Sequence, residues 1–446
     1  MFERGNLSRR GFLTRSTAAL MATGIPAWYA QELMAQQEQE QAQNARRPGP
    51  NDRITMGIIG TGSRGNQLLR AANQHRNSIQ WVAACDVDST HLNQTAQRMG
   101  NNIARFGDFR ELLEREDIDA VMVVTPDHWH TLISAAAMRA GKDVYCEKPL
   151  TLTVNEGKHL VRVGQMTNKI LQTGSQQRSE YGGRFRLAAE LVRNGRIGTV
   201  ETIETRIGTN PVGGPFEVRD VPESLNWNFW LGPTPQVPYV RERCHYTFRW
   251  WYDYSGGKMT DWGAHHNDIA QWALGMDNSG PVLVEHVSST APSTNNRSYN
   301  CHPQFEVRYT YANGENGANG TVLRCMSNGQ NGIRFNGTNG RWIFVHRGGI
   351  SASDPALLRD PLGEDATRLE VSNNHIGNFL QCVRNRRQPI CNVNVGHRSV
   401  SVCHIGTIAI RRRERLRWDP QREQFVGNEA ANAMLSREMR APWRLA

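Results

Sequence analysis

Three short motifs in this chain carry groups that can do chemistry. The first is the glycine-rich turn GTGSRG at residues 60–65, the second is EKP at 147–149, and the third is GGKMTDWGAH at 256–265. A glycine-rich turn offers backbone N–H groups to phosphates, whereas lysine, aspartate and histidine side chains can hold and move protons. Together the motifs predict a nicotinamide dinucleotide beside a proton-transfer group, which is the equipment of an alcohol dehydrogenase.

The glycine-rich turn lies between the apolar run Ile54–Ile59 and a helical pattern, which is the order that a dinucleotide site requires. Gly60 allows the tight turn, Gly62 lets the backbone approach a pyrophosphate, and Gly65 lets the helix pack against the strand. The helix that follows offers free N–H groups and the positive end of its dipole to the phosphates. The turn is therefore expected to bind the cofactor.

Asp86 ends the second apolar run, where a carboxylate can accept hydrogen bonds from the adenosine ribose hydroxyls. A 2′-phosphate about 4 Å away would be repelled by on the order of 4 kcal/mol at an effective dielectric constant near 20. This repulsion favours NAD over NADP. Arg64 can oppose this preference, because its guanidinium can pair with a phosphate.

Lys148, Asp261 and His265 are the predicted catalytic residues. Asp261 and His265 are four positions apart, so on one helix they share a face. His265 can then take an alcohol proton while Asp261 orients the imidazole and stabilises its cationic form. Lys148, one of only five lysines in the chain, can polarise the hydroxyl or relay the proton.

Other interpretations of these residues exist. Lys148 can be a surface lysine in a turn, and His265 with His266 can be a capping or core pair. A metal site built from Asp261, His265 and His266 is a further alternative, weakened because adjacent side chains on a helix point about 100° apart. The same rotation predicts that His266 points away from the proton relay.

The segment 125–130 follows the fourth apolar run at its carboxyl end, where open α/β sheets bind ligands. A purely structural strand-to-helix turn fixed by Pro126 is the alternative interpretation. In addition to the three glycines and Asp86, the candidate cofactor-binding residues are Ser63, Arg64, Thr125, Pro126, His128, Trp129, His130 and Glu147.

Aromatic residues are dense between positions 227 and 254. Aromatic faces suit the apolar faces of sugar rings, but aromatic residues are also common core material, so about half of these are expected to be structural. The candidate substrate-binding residues are Arg178, Arg249, Trp250, Lys258 and His266.

The elements that position these motifs change in pattern along the chain. From 53 to 175, short apolar runs alternate with amphipathic helical stretches, which predicts a Rossmann-type parallel sheet with helices on both faces. From 176 to 415, alternating runs separated by Asn-Gly turns predict an open, mainly antiparallel sheet. The fold class is therefore α/β with two domains, and residues 416–446 form a C-terminal extension.

Residues 1–52 are expected to precede the folded domains. The segment SRRGFLT at 8–14, with Arg9 and Arg10, has the pattern of a twin-arginine export signal. The charge-free stretch Ser16–Gln31 that follows is too short and too mildly apolar for a membrane span. Residues 31–51, rich in Gln and Glu, predict a linker. These features predict a periplasmic or otherwise exported protein without stable membrane insertion.

The net charge of +10 does not indicate a nucleic-acid-binding protein. All but five of the 52 basic residues are arginines, they are scattered, and the chain lacks a stacked-aromatic or helix-turn-helix pattern. The eight cysteines show neither a Cys-x-x-Cys pair nor a zinc spacing, which predicts buried free thiols and no metal site.

The chain resembles the Gfo/Idh/MocA family of oxidoreductases, which includes glucose–fructose oxidoreductase and inositol dehydrogenase. The resemblance covers about residues 53–415 and is carried by the glycine-rich turn, Thr125-Pro126 with His130, the EKP turn, and the segment from Gly256 through Asp261, His265 and Asp268. It implies a Rossmann domain followed by an α/β domain whose open sheet also mediates oligomerisation, as a dimer or tetramer.

By the same resemblance, the family's catalytic lysine falls on Lys148 and its Asp/His pair on Asp261 and His265. The leader resembles those of periplasmic members, which hold their nicotinamide cofactor tightly. His266 and the many tryptophans depart from the family pattern and leave the substrate open.

The expected activity is hydride transfer between NAD and a hydroxyl-bearing carbon of a sugar, glycoside or cyclitol. One alternative is an NAD-dependent glycosidase or epimerase that runs a closed redox cycle, which a retained cofactor outside the cytoplasm favours because free NAD is scarce there. Another is a cofactor-bound sugar-binding protein without turnover, against which the intact Lys148, Asp261 and His265 argue.

Overall fold

A computed structural model describes residues 18–43, 53–100, 102–312 and 320–445. Arg9 and Arg10 of the twin-arginine motif lie outside the described residues. Helix α1 spans Ala27–Gln43. Within the described ranges, no helix combines the length and the apolar character needed to cross a membrane.

Six parallel strands form the first sheet, in the order β3-β2-β1-β4-β5-β6. The strands are β1 (Ile54–Ile59), β2 (Ile79–Cys85), β3 (Ala104–Phe106), β4 (Ala120–Val123), β5 (Asp143–Cys146) and β6 (Leu171–Thr173). The helices between them are α2 (Ser63–Ala72), α3 (Ser89–Met99), α4 (Phe109–Leu113), α5 (Asp127–Arg139) and α6 (Val154–Thr167). Every residue of β4 and β5 is buried, because helices cover both faces of the sheet. The predicted Rossmann-type sheet is confirmed.

Nine strands form the second sheet, in the order β13-β12-β11-β7-β10-β9-β8-β14-β15. They are β7 (Val200–Arg206), β8 (Leu283–Ser289), β9 (Phe305–Thr310), β10 (Val322–Met326), β11 (Gly332–Gly337), β12 (Trp342–His346), β13 (Gly349–Ala352), β14 (Arg415–Asp419) and β15 (Gln424–Phe425). Only β7 and β10 pair in parallel, so the predicted, mainly antiparallel sheet is also confirmed.

The Asn-Gly pairs in this region do not all form turns. Asn339 and Gly340 connect β11 to β12 with φ of 59° and 69°, the left-handed values that a tight hairpin requires. Asn336 and Gly337 instead lie inside β11, where the register shifts. A Cβ at Gly337 would lie 2.1 Å from the carbonyl oxygen of Ile197, so glycine is needed there for close packing.

Helices cover one face of the second sheet. The helices after β6 are α7 (Arg184–Arg193), α8 (Trp227–Leu231), α9 (Lys258–Asp261), α10 (Gly263–Ala273), α11 (Ala356–Arg359), α12 (His375–Asn385), α13 (Val393–Arg412) and α14 (Glu429–Ala433). Of these, α7, α10 and α13 pack against the sheet through side chains such as Phe185, Ile269 and Ile405. The opposite face carries partly exposed polar side chains, including Arg324, which pairs with Glu306 at 2.9 Å.

The linker predicted at 31–51 is wrong for its first part, because residues 31–43 belong to α1. Tyr29, Ala30 and Leu33 of this helix are fully or almost fully buried and join the core of the second domain. The Gln- and Glu-rich composition hid an apolar stripe at helical spacing, which the folded domain covers.

The predicted C-terminal extension is also wrong in its boundary. Position 415/416 falls within β14, which pairs with β8 and extends the large sheet. Further along, Arg437 binds Glu156 of α6 at 2.7 Å, and the Trp443 ring lies 4.7 Å from that of Trp129. The C-terminal residues therefore return to the first domain instead of extending away from the fold.

Candidate active site

A cavity of about 580 Å³ lies at the carboxyl ends of β1, β2, β4 and β5. Open α/β sheets bind ligands at this edge because the strand-to-helix turns converge there. The cavity extends from the glycine-rich turn to Lys148, Asp261 and His265, so one continuous space joins the predicted cofactor site to the predicted catalytic residues.

The glycine-rich turn has the geometry that a dinucleotide requires. Gly60 has φ +92°, and a Cβ there would lie 2.5 Å from the carbonyl oxygen of Val124. A Cβ on Gly65 would lie 2.4 Å from the carbonyl oxygen of Gly60, so this position needs glycine for the helix to meet the strand. Gly62 faces open space, with only His91 as near as 3.8 Å. No side chain covers the backbone at Gly62 on the side of the cavity, so a pyrophosphate can approach it closely.

Asp86 is held by the turn that it faces. Its Oδ2 accepts hydrogen bonds from the backbone N–H of Thr61 at 2.7 Å and from Thr61 Oγ1 at 3.0 Å. Its Oδ1 accepts from the N–H of Asp88 at 2.9 Å. The fixed carboxylate lines the cavity, where its remaining lone pairs can accept hydrogen bonds from ribose hydroxyls.

Arg64 also lines the cavity, but its guanidinium donates to Glu147 Oε1 at 2.7 and 3.0 Å. Burial alone would raise the pKa of Glu147, and the charge of Arg64 instead holds it below its usual range. The ion pair joins the turn after β1 to the turn after β5. Arg64 is therefore engaged with a carboxylate of the protein.

Of the segment 125–130, the cavity is lined by Thr125, Pro126, Asp127 and Trp129, but not by the two histidines. His128 is buried and hydrogen-bonds with the carbonyl oxygen of Trp230 at 2.9 Å, so its expected place among the cofactor-binding residues is wrong. His130 lies between the carbonyl oxygens of Thr125, at 2.8 Å, and Pro149, at 2.7 Å. Its role is to join two cavity-lining turns, one of which carries Lys148.

Lys148 and Asp261 form the central ion pair of the site. Lys148 Nζ donates to Asp261 Oδ1 at 2.7 Å and to the Asp261 carbonyl oxygen at 2.9 Å. Arg249 Nε and Lys258 Nζ lie 3.9 and 3.7 Å from the same carboxylate. Burial alone would raise the pKa of Asp261, but Lys148 and Arg249 lower it to about 2. Asp261 therefore stays ionised.

His265 lines the cavity beside this ion pair, and its buried Nδ1 has no hydrogen-bond partner among the described residues. Burial, together with the charge of Lys148, puts the pKa of His265 well below its usual value. The imidazole is therefore neutral, and it can accept a proton from a substrate hydroxyl.

The predicted contact between Asp261 and His265 is wrong. Asp261 ends α9 and Gly263 begins α10, so the two residues do not share one continuous helix. The Asp261 carboxylate instead binds the three cations around it. A spacing of four positions predicts a shared face only where the helix is unbroken.

Three residues proposed as substrate contacts lie elsewhere. His266 is buried and hydrogen-bonds with Asn331 at 3.0 Å and Gln177 at 3.3 Å, so it points away from the cavity and cannot complete a metal site with Asp261. Arg178 is buried in ion pairs with Asp268 and Asp277, both at 2.7 Å. Trp250 is also buried and does not line the cavity. Of the remaining two, Arg249 lines the cavity and Lys258 reaches Asp261.

Several cavity-lining residues were not found from the sequence. Glu180 and Tyr181 follow the end of β6, and this strand-end position was a usable signal. Arg347 comes from the turn between β12 and β13, far along the chain, and no motif marks it. Its guanidinium lies 4.4 Å from the Trp262 ring centroid and 4.9 Å from that of Tyr181.

At the other end of the cavity, His245 of the second domain reaches the first. Its Nε2 lies 3.5 Å from Asp88 Oδ2, and its ring contacts that of His91 edge-on at 4.6 Å. One ring nitrogen of His245, one ring nitrogen of His91 and one carboxylate oxygen of Asp88 lie within 4.8 Å of one another. These three residues line the cavity beside Asp86.

Two family profiles match the chain. One, described as "Oxidoreductase family, NAD-binding Rossmann fold", matches residues 54–175, and the other, described as "Oxidoreductase family, C-terminal alpha/beta domain", matches residues 213–445. The second profile alone covers more than half of the chain.

Curated relatives match over shorter segments. A glycosyl hydrolase family 109 protein from Solibacter usitatus is 35% identical over 130 residues, which are 27% of this chain and 30% of the relative. An inositol 2-dehydrogenase from Salmonella paratyphi B is 25% identical over 146 residues, which are 32% of this chain and 43% of the relative. The chain thus matches less than half the length of these proteins.

The solved structure of the WlbA dehydrogenase from Bordetella pertussis, in complex with NADH and UDP-GlcNAcA, superposes with a TM-score of 0.60. The sequence identity is 16%, and the match covers 82% of this chain and 99% of the other. At this identity the likeness shows the fold alone.

Proposed function

The chain belongs to the Gfo/Idh/MocA oxidoreductase family, and we propose that it oxidises a hydroxyl-bearing carbon of a sugar, glycoside or cyclitol with NAD. The observation that carries the proposal is the neutral His265 beside the Lys148–Asp261 ion pair, in the same cavity as the glycine-rich turn. A proton acceptor and a dinucleotide cradle in one cavity are what alcohol oxidation requires.

The chain's own residues fit the cofactor. Gly60, Gly62 and the N-terminus of α2 would hold its phosphates, and Asp86 its adenosine ribose. Thr125 Oγ1 is buried at the cavity without a described partner, which leaves it available to a ligand. When bound, NAD supplies the acceptor for the hydride. NAD is preferred over NADP because the Asp86 side chain lies beside the ribose site and Arg64 is paired with Glu147.

The proton from the substrate hydroxyl passes to His265. The neutral imidazole accepts it, and Lys148 holds the hydroxyl oxygen with its ammonium group. Asp261 keeps Lys148 in place and balances its charge. Trp262 and Tyr181 line this end of the cavity with apolar ring surface.

A second candidate function is a closed redox cycle, in which a glycoside is oxidised, altered and reduced again on one enzyme. The similarity to the relative from Solibacter usitatus supports it, because that protein is named a glycosyl hydrolase. The same residues serve both functions, since the first step is the same oxidation. Net production of NADH distinguishes the first function from the second.

The experiment begins with mass spectrometry of the purified protein for bound NAD(H), followed by absorbance at 340 nm across a panel of sugars, glycosides and cyclitols. Net oxidation gives a stoichiometric rise in absorbance. A closed cycle gives product without that rise. If no compound is converted although NAD is bound, the protein is a binding protein and the proposal is wrong.

We also propose that the chain is exported through the twin-arginine route and forms a dimer or tetramer through the uncovered face of the nine-stranded sheet. Export rests on Arg9 and Arg10, and their double replacement by lysine should leave the protein in the cytoplasm. Light scattering measures the oligomer, and a monomer at micromolar concentration would contradict this part of the proposal.

A further inference from the structure

Positive charge is in excess at the catalytic end of the cavity. Asp261 is surrounded by Lys148, Arg249 and Lys258, all within 4.0 Å of its carboxylate. One carboxylate balances only one of these three cations. The other two remain available to a ligand with negative charge.

Arg347 adds a fourth cation on the same wall. Its Nε donates to Gln177 Oε1 at 3.3 Å, and its terminal nitrogens make no hydrogen bond to the residues that the structure describes. No described carboxylate lies within the 4.0 Å range of an ion pair with it, whereas Arg64 has Glu147. The guanidinium carbon lies 4.4 Å from the ring centroid of Trp262 and 4.9 Å from that of Tyr181, so two aromatic side chains pack against this cation.

Other acidic groups near this wall do not balance the excess. Glu147 is bound by Arg64, and Asp127 accepts a hydrogen bond from Ser255. Glu180 also lines the cavity, but no ion pair joins it to Arg347 among the described residues. The donor edge of Arg347 is thus left for a group that the protein does not supply.

We propose that the substrate is a sugar acid of the uronate type, whose carboxylate binds Arg347 while the carbon to be oxidised faces His265 and Lys148. The proposal rests on the proposed oxidoreductase function. A guanidinium with two free parallel N–H groups is the side chain best suited to a carboxylate, because it binds both oxygens at once. Arg249 and Lys258 add to the attraction at longer range.

The test compares matched pairs of compounds that differ only in the carboxylate, such as glucuronate with glucose and galacturonate with galactose. We expect kcat/KM with NAD to be at least about tenfold higher for the acids, as charge-assisted hydrogen bonds imply. Arg347→Gln should raise KM for the acids about tenfold or more and leave the rates on neutral sugars within about twofold. The matched control is Arg341→Gln, because Arg341 is exposed at the start of the same hairpin.

Binding separates failure of this proposal from failure of the proposed function. Calorimetric titration of the NAD-loaded His265→Ala variant with glucuronate and with glucose measures recognition without turnover. Tighter binding of glucuronate that Arg347→Gln removes supports the sugar acid even if no oxidation is seen. Equal binding of both compounds, or an acid preference that survives Arg347→Gln, overturns it.

A second and independent inference concerns the N-terminal segment 20–36. Four of its side chains are buried in the core of the second domain, namely Ile25, Tyr29, Ala30 and Leu33. Gly24 has φ +84°, and a Cβ there would lie 2.1 Å from the carbonyl oxygen of Ile350. The segment therefore packs as closely as an internal element of the domain.

Polar contacts hold the same segment. The side chain of Arg186, which is buried in α7, donates to Tyr29 Oη at 2.7 Å and to Gln36 Oε1 at 2.9 Å. Trp28 Nε1 donates to the carbonyl oxygen of Leu358 at 2.9 Å. Loss of the segment would remove both described acceptors of a buried guanidinium, which is strongly destabilising.

We infer that residues 20–36 remain part of the mature enzyme, so that any processing of the leader occurs before residue 18. The second half of the charge-free stretch predicted to belong to an export signal is then a structural element.

Intact mass and N-terminal sequencing of the protein from cell fractions should give a first residue no later than Ala18. A truncation starting at residue 18 should keep the Tm of the full chain, and one starting at residue 37 should lower it sharply. Because the protein that starts at residue 37 can fail to fold, Gly24→Ala and Tyr29→Phe provide milder variants, each expected to lower Tm by about 2–4 °C. The control is Gly280→Ala, because a Cβ there meets no atom within 4 Å. A mature protein that begins after Ala18, or an unchanged Tm in both milder variants, overturns the inference.

Discussion

At the scale of single residues, Asp261 organises the candidate active site. Its carboxylate accepts a hydrogen bond from Lys148 Nζ at 2.7 Å and has Arg249 and Lys258 within 4.0 Å. His265 stays neutral beside this cluster, because its pKa lies well below the usual value. Lys148 thus has a fixed position, and the proton acceptor is a separate residue. This division predicts different consequences for the three side chains.

Lys148→Met and His265→Ala should each lower kcat by about 10²–10⁴-fold while bound NAD is retained, because each removes a proton-handling group. Asp261→Asn should also lower kcat, since it leaves Lys148 free to move. Combining the changes should lower the rate far less than the product of the single effects if the residues act together. Rates are measured under saturating substrate, and NAD content by mass spectrometry.

Lys169→Met is the matched lysine control, because Lys169 does not line the cavity. His266→Gln is the matched histidine control, since His266 is hydrogen-bonded to Asn331 and Gln177 outside the cavity. Loss of activity in His266→Gln with full activity in His265→Ala would contradict the assignment of the proton acceptor.

At the scale of elements, the glycines of the turn between β1 and α2 differ in role, since the fold requires two of them and not the third. Gly60 is required by its backbone conformation, and Gly65 by contact between α2 and the strand. Gly62 has open space beside it, so the fold does not require glycine there. Any selection for glycine at position 62 must therefore come from the ligand.

Gly62→Ala should leave Tm within about 1 °C of the parent and weaken NAD binding about tenfold or more, because its Cβ occupies the path of the pyrophosphate. Gly60→Ala should lower Tm by several degrees, because it combines a positive φ with backbone overlap. Thermal scans with and without NAD measure both effects. A large loss of Tm in Gly62→Ala would show that the open space is needed by the fold.

At the scale of the whole molecule, several buried histidines couple stability to pH. Burial lowers the pKa of His128 and His404 to about 3 and of His266 and His375 to about 4, and it places that of His265 well below its usual value. In the unfolded chain these groups take up protons near pH 6.5. In the folded protein they remain neutral down to lower pH.

The unfolded state therefore binds more protons as pH falls through about 6.5, and the free energy of unfolding decreases. Tm should fall steadily between pH 7 and pH 5. Asp127 opposes the trend, because burial raises its pKa to about 6 and it takes up a proton in the folded state. Other groups act like Asp127: burial raises the pKa of Glu180 and Glu190, and, against the effect of burial, interaction with Cys146 raises the pKa of His130 to about 10. The histidines with lowered pKa dominate between pH 7 and pH 5, because burial also lowers the pKa of His302 to about 4. A Tm that is constant or rises from pH 7 to pH 5 would contradict this prediction, and calorimetry in buffers of matched ionic strength measures it.

The sequence by itself determined the parts of this protein whose signals are local. Strand β1 was predicted with its observed bounds, Ile54–Ile59, and the glycine-rich turn was placed between β1 and α2. Such features depend on short-range backbone geometry and on burial patterns that repeat every two or about four residues. The catalytic candidates Lys148, Asp261 and His265 were found because each lies in a short motif.

Only the tertiary structure decided which side chains meet. Lys148 and Asp261 are 113 positions apart, and their ion pair replaced the expected contact between Asp261 and His265. Arg347 forms part of the cavity wall, and helix α1 forms part of the core of the second domain. No sequence motif marked either position, because their partners lie far along the chain. Spacing along the sequence fixes neighbours only within one unbroken element. Packing between elements determines the rest, since it depends on the whole set of buried surfaces at once.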